Sequence, residues 1–197
     1  VICRSVSRCR SPKLTTKAGR KHLDDSMAHY RKARVELDDL ARGTPGQKPI
    51  HPQYLARLLS EQATGDAVFT ADVGTPTIWA ARYLAMNGRR RLIGSWGHGS
   101  MANAMAHAIG VQASQPGRQV ISMSGDGGFA MLMGDLITLT QMKLPVKVVI
   151  FNNGALGFVA MEMKASGFIE TGVDLQNPDF AAMARAMGIH AVRVEDP

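Results

Sequence analysis

The sequence predicts an α/β protein with a three-layer α/β/α arrangement around a mostly parallel sheet. Short apolar runs alternate with longer segments of helical periodicity, the pattern of parallel strands joined by crossover helices. Each of the clearest runs breaks into a polar, glycine-containing turn: Ala67–Ala71 into Asp72-Val73-Gly74, Val120–Met123 into Gly125-Asp126-Gly127-Gly128, and Val146–Phe151 into Asn152-Asn153-Gly154. Apolar residues make up 45% of the chain, enough for a sizeable core, and no run reaches the length of a membrane span.

The net charge of +7 is local. Arg4, Arg8, Arg10, Lys13, Lys17, Arg20 and Lys21 supply all of it, with no acid among residues 1–21, and the remainder balances at 16 basic and 16 acidic side chains. This arm also holds both cysteines, Cys3 and Cys9. It reads as a disordered edge; a transit peptide or a nucleic-acid-binding arm are the alternatives. Two cysteines in such an arm make no disulfide framework, so a reduced, cytosolic setting is expected.

From Leu23 to Ala41, apolar residues at Leu23, Met27, Tyr30, Leu37 and Leu40 share one helix face, and Gly43-Thr44-Pro45-Gly46 reads as a linker. His22 and His29 read as solvated helix positions. A second domain starts near Ile50, with a helix over Tyr54–Gln62, the strand Ala67–Ala71 and a helix over Thr77–Met86. Asp72 reads as a cap for that helix, ahead of Pro76. Arg89-Arg90-Arg91 reads as a solvated turn, followed by a strand over Arg91–Ser95 and the loop Trp96-Gly97-His98-Gly99-Ser100, whose glycines let the backbone approach a ligand. Met101, Met105 and Ile109 fall on one helix face and on pattern alone read as core. After Val120–Met123 a helix is expected over Phe129–Lys143. Glu162 and Lys164 read as a surface pair, Asn177-Pro178-Asp179 as the cap of a helix over Phe180–Met187, and Ile189–Val194 as a last strand.

In an open parallel sheet ligands sit beyond the carboxyl ends of the strands, so the clusters after Met123 and Phe151 should meet. Gly127 and Gly128 let the backbone approach a phosphate, and their N–H groups open a helix whose N-terminus favours an anion. Gly125-x-Gly127-x-x-Ala130 formally satisfies the dinucleotide fingerprint. Against it, Asn152-Asn153 stands where an acidic ribose ligand is expected, and Asp126 in the turn would repel a pyrophosphate. A divalent cation removes that conflict, because Mg²⁺ takes hard oxygen ligands from protein and phosphate together. Asp126 and Asn153 therefore read as ligands of a metal-bridged diphosphate.

Gly125-Asp126-Gly127, then residues 128–151, then Asn152-Asn153 resembles the thiamine-diphosphate signature of the pyruvate oxidase, acetolactate synthase and pyruvate decarboxylase group. The runs 99–105, 131–135 and 156–164 are similar to the quinone-dependent pyruvate dehydrogenases, also called pyruvate oxidases. The resemblance covers about residues 20–197. It implies a middle-domain remnant over 22–46 and a C-terminally incomplete diphosphate-binding domain over 47–197. It assigns Val73 and, less directly, Gly74 and Thr75 to the loop that reaches the cofactor's diphosphate. Gly99, Ser100 and Met101 would contact the cofactor, Met101 as the apolar wedge beneath it. Asp126, Gly127 and Gly128 would hold the diphosphate with Asn153 and Gly154. The Ala155 carbonyl would be the third protein ligand of Mg²⁺, beside Asp126 and Asn153. Leu156, Gly157, Phe158 and Val159 would form the lip, with Phe158 lining the active site.

The resemblance further implies oxidative decarboxylation of pyruvate to acetate and CO₂, with electrons passing through FAD, on a domain absent from this chain, to ubiquinone. It implies a homo-oligomer, a tetramer, whose neighbouring subunit supplies the activating glutamate. It places the full-length enzyme in the cytoplasm, peripheral on the inner membrane face through a C-terminal tail. The chain alone is expected to be inactive. Two other readings stand beside this one: another thiamine-diphosphate enzyme such as acetolactate synthase, and a non-enzymatic nucleotide-binding α/β protein with a basic arm.

Overall fold

A computed structural model describes residues 19–197, so the basic arm and both cysteines lie almost wholly outside the described residues. The chain divides into two units, Val1–Asp39 and Leu40–Pro197. In the first, the expected amphipathic helix forms as α1 (Lys21–Leu40). It carries i,i+4 ion pairs, Arg20 with Asp24 and Arg34 with Asp38, and its apolar positions Leu23, Met27 and Tyr30 are exposed.

The second unit begins with α2 (Pro52–Gln62), which carries Pro in its first turn, where a missing N–H breaks no helical bond. Then follow β1 (Val68–Ala71), α3 (Thr75–Tyr83), β2 (Arg91–Ile93), α4 (Asn103–Ser114), β3 (Val120–Gly125), α5 (Asp126–Met131), α6 (Leu136–Gln141), β4 (Lys147–Phe151), α7 (Gly157–Ala165) and α8 (Phe180–Ala186). The four strands form one parallel sheet in the order β2-β1-β3-β4. Val68 lies opposite Arg91 on one side and Val120 on the other, and Gly125 lies opposite Phe151. The sheet and its helices agree with the predicted fold class.

This order positions the site. The chain runs outward from β1 to β2, then returns across β1 to begin β3. Loops leaving β1 and β3 therefore part in opposite directions and open a crevice at the carboxyl ends of those strands. Both strands are buried through Thr70, Ala71, Ser122 and Met123, as expected of parallel strands covered on both faces. One core cluster joins Val68, Ala108 and Val120; another joins Met105, Phe129, Leu136, Leu139, Phe180 and Ala184. In the latter Phe129 and Phe180 meet edge to face, 5.2 Å between centroids.

Three expectations are corrected. The helix expected over Phe129–Lys143 is broken into α5, a 3₁₀ turn at Met133–Asp135 and α6. Gly134 weakens a continuous helix, and the break lets Phe129, Leu136 and Leu139 reach the same core while Met131 stays exposed. Ile189–Val194 forms no strand. Ile189 and Ala191 pack against the second core cluster, and Val192 and Val194 are exposed, so the apolar alternation is met by packing rather than by a ladder.

The third correction is Arg90, which is buried rather than solvated. Its guanidinium donates to the carbonyls of Ala63 at 2.6 Å, Thr64 at 3.0 Å and Ala85 at 3.0 Å, and lies 5.9 Å from the centre of the Phe69 ring. It thus ties together the chain just beyond the ends of α2 and α3, where helix carbonyls lack intrahelical partners.

Candidate functional site

At the mouth of the crevice the end of β3 passes directly into α5, so Asp126 stands at the strand's carboxyl end with its side chain buried. Asp126 Oδ1 accepts from Gly127 N at 2.9 Å. Oδ2 accepts from Gly154 N at 2.7 Å, Asn177 Nδ2 at 2.8 Å and Asn153 N at 3.1 Å. The carboxylate therefore joins β3 to the loop after β4, and the two clusters meet as expected.

Within that loop one end of the Asn153 amide lies 2.9 Å from the Ala155 carbonyl oxygen and 3.2 Å from Asp126 Oδ1; with the amide oxygen at that end, three oxygens meet. Three oxygens this close repel unless a cation or a proton donor lies among them. Adjacent ligands of Mg²⁺, at about 2.0–2.1 Å from the ion in near-octahedral geometry, are themselves about 2.9 Å apart. With the amide turned over, its Nδ2 donates to both other oxygens instead. The residues present therefore fit a hard divalent cation, with Asp126, Asn153 and Ala155 as the oxygen set. Among the described residues no three acidic, His or Cys side chains gather elsewhere as a metal site.

The adjoining cleft has a volume of about 320 Å³. Val73, Gly74, Gly99, Met101, Asp126, Gly127 and Gly128 line it, with Asn153, Ala155, Leu156, Gly157, Phe158 and Val159 opposite. Thr75 lines it as well. Gly74, at φ +144°, and Gly99, at φ +65°, hold backbone conformations that suit glycine. Met101 lies outside α4 and belongs to the cleft wall, whereas Met105 is core. Two expected cofactor residues are not on the wall. The Ser100 carbonyl accepts from Val73 N at 3.3 Å, and Gly154 gives its N–H to Asp126 and takes one from Leu175 at 2.8 Å. His98 is exposed and off the wall.

The two glycines of α5 serve packing. A Cβ on Gly128 would collide with the Asp72 carboxylate, 2.9 Å from Cγ, and would lie 3.1 Å from Ala102 N. One on Gly127 would meet Leu156 at 2.8 Å, Leu175 at 3.2 Å and Met101 at 3.3 Å. Their smallness lets the walls close around α5. Gly128→Ala should cost about 1–3 kcal/mol through overpacking, read as a lower midpoint in urea unfolding; an unchanged midpoint would contradict the collision.

Asp72 is the residue that sequence reasoning misplaced. It does not cap the helix that follows it: α3 has Gly74 as its N-cap and no side-chain cap. Its Oδ1 accepts from Ala104 N at 2.8 Å and its Oδ2 from Gly125 N at 3.3 Å, so it pins the start of α4 to the end of β3. Ala102, at φ +66°, makes the left-handed turn that delivers α4's first N–H groups to it. Burial holds the Asp72 carboxyl above its ordinary value of 3.8, opposed by the N–H groups of Ala104, Gly125 and Asn103. A raised folded-state value means the folded protein binds the proton more tightly than the unfolded chain. Stability from this group is full below pH 3.8 and declines as pH rises through the folded value. The stability of wild type relative to Asp72→Asn should therefore fall as pH rises above 3.8 in urea titrations; a rise would contradict burial as the dominant cause.

Glu162, read as half of a surface pair with Lys164, instead lines the cleft. Positions i and i+2 diverge around a helix, whereas Glu162 follows Phe158 at i+4 and shares its face.

Residues 72–197 match the family model described as thiamine pyrophosphate enzyme, C-terminal TPP binding domain. The chain belongs to this family of thiamine-diphosphate enzymes. It is 41% identical over 160 residues to YdaP of Bacillus subtilis (strain 168), whose name describes it provisionally as a thiamine pyrophosphate-containing protein, covering 81% of this chain and 27% of that one. It is 36% identical over 160 residues to the acetolactate synthase large subunit of Lactococcus lactis (78% and 27% covered), and 34% identical over 148 residues to the acetolactate synthase isozyme 2 large subunit of Escherichia coli (74% and 27% covered). The chain thus spans about a quarter of the length of these relatives. The Lactococcus lactis and Escherichia coli relatives are named for acetolactate synthesis, the reading placed second on sequence.

Proposed function

We propose that this chain anchors the Mg²⁺-diphosphate end of thiamine diphosphate in an enzyme that decarboxylates a 2-oxo acid, pyruvate being the substrate expected. The observation that carries the proposal is the meeting of Asp126, from the end of β3, with Asn153 and Ala155, from the loop after β4, on the wall of one cleft. When bound, thiamine diphosphate supplies an acidic carbon whose deprotonated form attacks a keto carbon and retains the electrons as CO₂ leaves. The chain's own part is binding and orientation. Asp126, Asn153 and Ala155 would hold the cation, and Val73 and Gly74 would approach the diphosphate with backbone. Met101 and Leu156 would flank the ring, and Phe158 and Glu162 would face the reacting end.

Acetolactate synthase-type carboligation is the first finer reading, supported by the names of the relatives. Quinone-linked oxidation of pyruvate to acetate is the second, favoured by the runs 99–105 and 156–164. In either case the activating carboxylate would come from a neighbouring subunit of a homo-oligomer. The second reading adds FAD and ubiquinone, and contact with the inner membrane face.

Titration calorimetry of thiamine diphosphate with and without Mg²⁺ tests the binding, which should require the metal; binding indifferent to Mg²⁺ would overturn it. The finer readings separate on the full-length enzyme. Condensation of two pyruvates without an electron acceptor supports carboligation, and pyruvate-dependent reduction of a quinone supports oxidation.

A further inference from the structure

A carboxylate that serves a cation must present one oxygen in a fixed direction, so the groups that hold Asp126 matter as much as its presence. Its two oxygens are treated unequally. Oδ2 accepts three N–H groups, from Gly154, Asn177 and Asn153, whereas Oδ1 accepts one backbone N–H, from Gly127, and faces the Asn153 amide beside the Ala155 carbonyl. A carboxylate oxygen offers about two lone-pair sites. Oδ2 is therefore saturated, and the lone pair that can serve a cation, with the Asn153 amide oxygen turned inward, belongs to Oδ1.

Of the donors to Oδ2, two are backbone groups of the loop after β4. The third is a side chain 51 residues away in sequence. Asn177 divides the two hydrogens of its amide, one to Asp126 Oδ2 at 2.8 Å and one to Asn152 Oδ1 at 3.0 Å. Its placement is anchored. Leu156 N donates to Val173 O and Leu175 N to Gly154 O, both at 2.8 Å, with an antiparallel bridge between Ala155 and Asp174. Nor is Asn177 occupied as a helix cap, since α8 is capped by Asp179, whose Oδ1 accepts from Ala182 N at 2.9 Å.

We propose that Asn177 is a positioning residue for the cation: with Asn152 as its second acceptor, it saturates Asp126 Oδ2 and so directs Oδ1 alone toward Asn153 and Ala155. The inference rests on the metal-diphosphate reading above and gives Asn152 a place as the outer acceptor. An amide suits the position because it donates twice. A hydroxyl would serve one acceptor only, and a carboxylate would set a second anion against Asp126.

The test is Mn²⁺ binding, followed by electron paramagnetic resonance in the presence of thiamine diphosphate, on the 197-residue chain and its variants. Asn177→Ala should weaken Mn²⁺ binding about 10- to 100-fold, the usual effect of removing a group that orients a metal ligand. Asn177→Leu, which keeps the bulk and loses the N–H groups, should fall as far. Asp179→Ala, on the same segment, should lower the thermal midpoint by uncapping α8 yet leave Mn²⁺ affinity within about twofold. Asn177 variants that bind Mn²⁺ like wild type would overturn the proposal, as would an equal loss in Asp179→Ala. Asp126→Ala separates the two levels. If it loses Mn²⁺ while the Asn177 variants keep it, only the positioning role fails. If it binds like wild type, or if wild type takes up no Mn²⁺, the metal reading itself fails.

Discussion

Asp126→Ala should abolish metal-dependent binding of thiamine diphosphate. Asp126 is the only carboxylate in the oxygen cluster, and the amide and carbonyl oxygens beside it are neutral donors that cannot hold Mg²⁺ against water by themselves. Because removal of an orienting neighbour alone costs about 10- to 100-fold in metal affinity, loss of the charged ligand should exceed about 100-fold. A structural cost should accompany it. Gly127, Gly154, Asn153 and Asn177 all donate to this carboxylate, and losing such partly buried hydrogen bonds costs about 0.5–1.5 kcal/mol each. Asp126→Asn separates the effects: it keeps the shape and one acceptor oxygen but loses the charge, so more stability than cation affinity should be retained. Calorimetric titration with Mg²⁺, with EDTA, and on both variants reads this out. Cofactor binding unchanged by EDTA and by either substitution would remove the metal-bridged diphosphate from consideration.

Arg90→Ala should destabilise the second unit by about 3 kcal/mol, a midpoint lower by roughly 6–12 °C at this size. The loss is large because the guanidinium is buried and its hydrogen bonds end on the carbonyls of Ala63, Thr64 and Ala85, which no water would replace without opening the packing over Phe69. Arg90→Lys should recover little, since a single ammonium cannot span three carbonyls contributed by two helix ends. Arg89→Ala, one residue away on an exposed side chain, should stay within about 0.5 kcal/mol. Thermal unfolding of the three variants checks this, and equal midpoints for Arg89→Ala and Arg90→Ala would contradict it.

What was legible in the sequence follows from locality. The strands β1, β3 and β4 announce themselves as apolar runs ending in polar turns, because a strand covered on both faces must be apolar along its length and its ligand-binding end must not be. Asp126 and Asn153 could be placed together before any coordinates, because parallel strands put all their carboxyl ends on one edge. Ala155 was within reach only through resemblance: a backbone carbonyl leaves no side-chain signature.

The misreadings share a cause as well. Arg90 stands in a run of three arginines that looks like a solvated turn, and its burial depends on where α2 and α3 end relative to each other. Asp72 looks like a helix cap because Pro76 follows it, yet its acceptor role is set by α4 and β3, which arrive from 32 and 53 residues away. Glu162 looked like a partner for Lys164 until helical phase put it beside Phe158. Gly127 and Gly128 do line the cleft, but nothing in the sequence signals that the side chains of Leu156, Leu175 and Asp72 also press against the places their Cβ atoms would fill.

The sequence by itself thus determined the α/β class, the paired strand ends and the chemistry of a hard cation beside an anion, since each depends on residue type and short spacing. Only the tertiary structure decided which oxygen of Asp126 takes the Asn177 amide, and which polar side chains are buried to hold the crevice in shape. Those assignments depend on contacts between segments distant in the chain, where the direction of an N–H group matters and no local pattern records it.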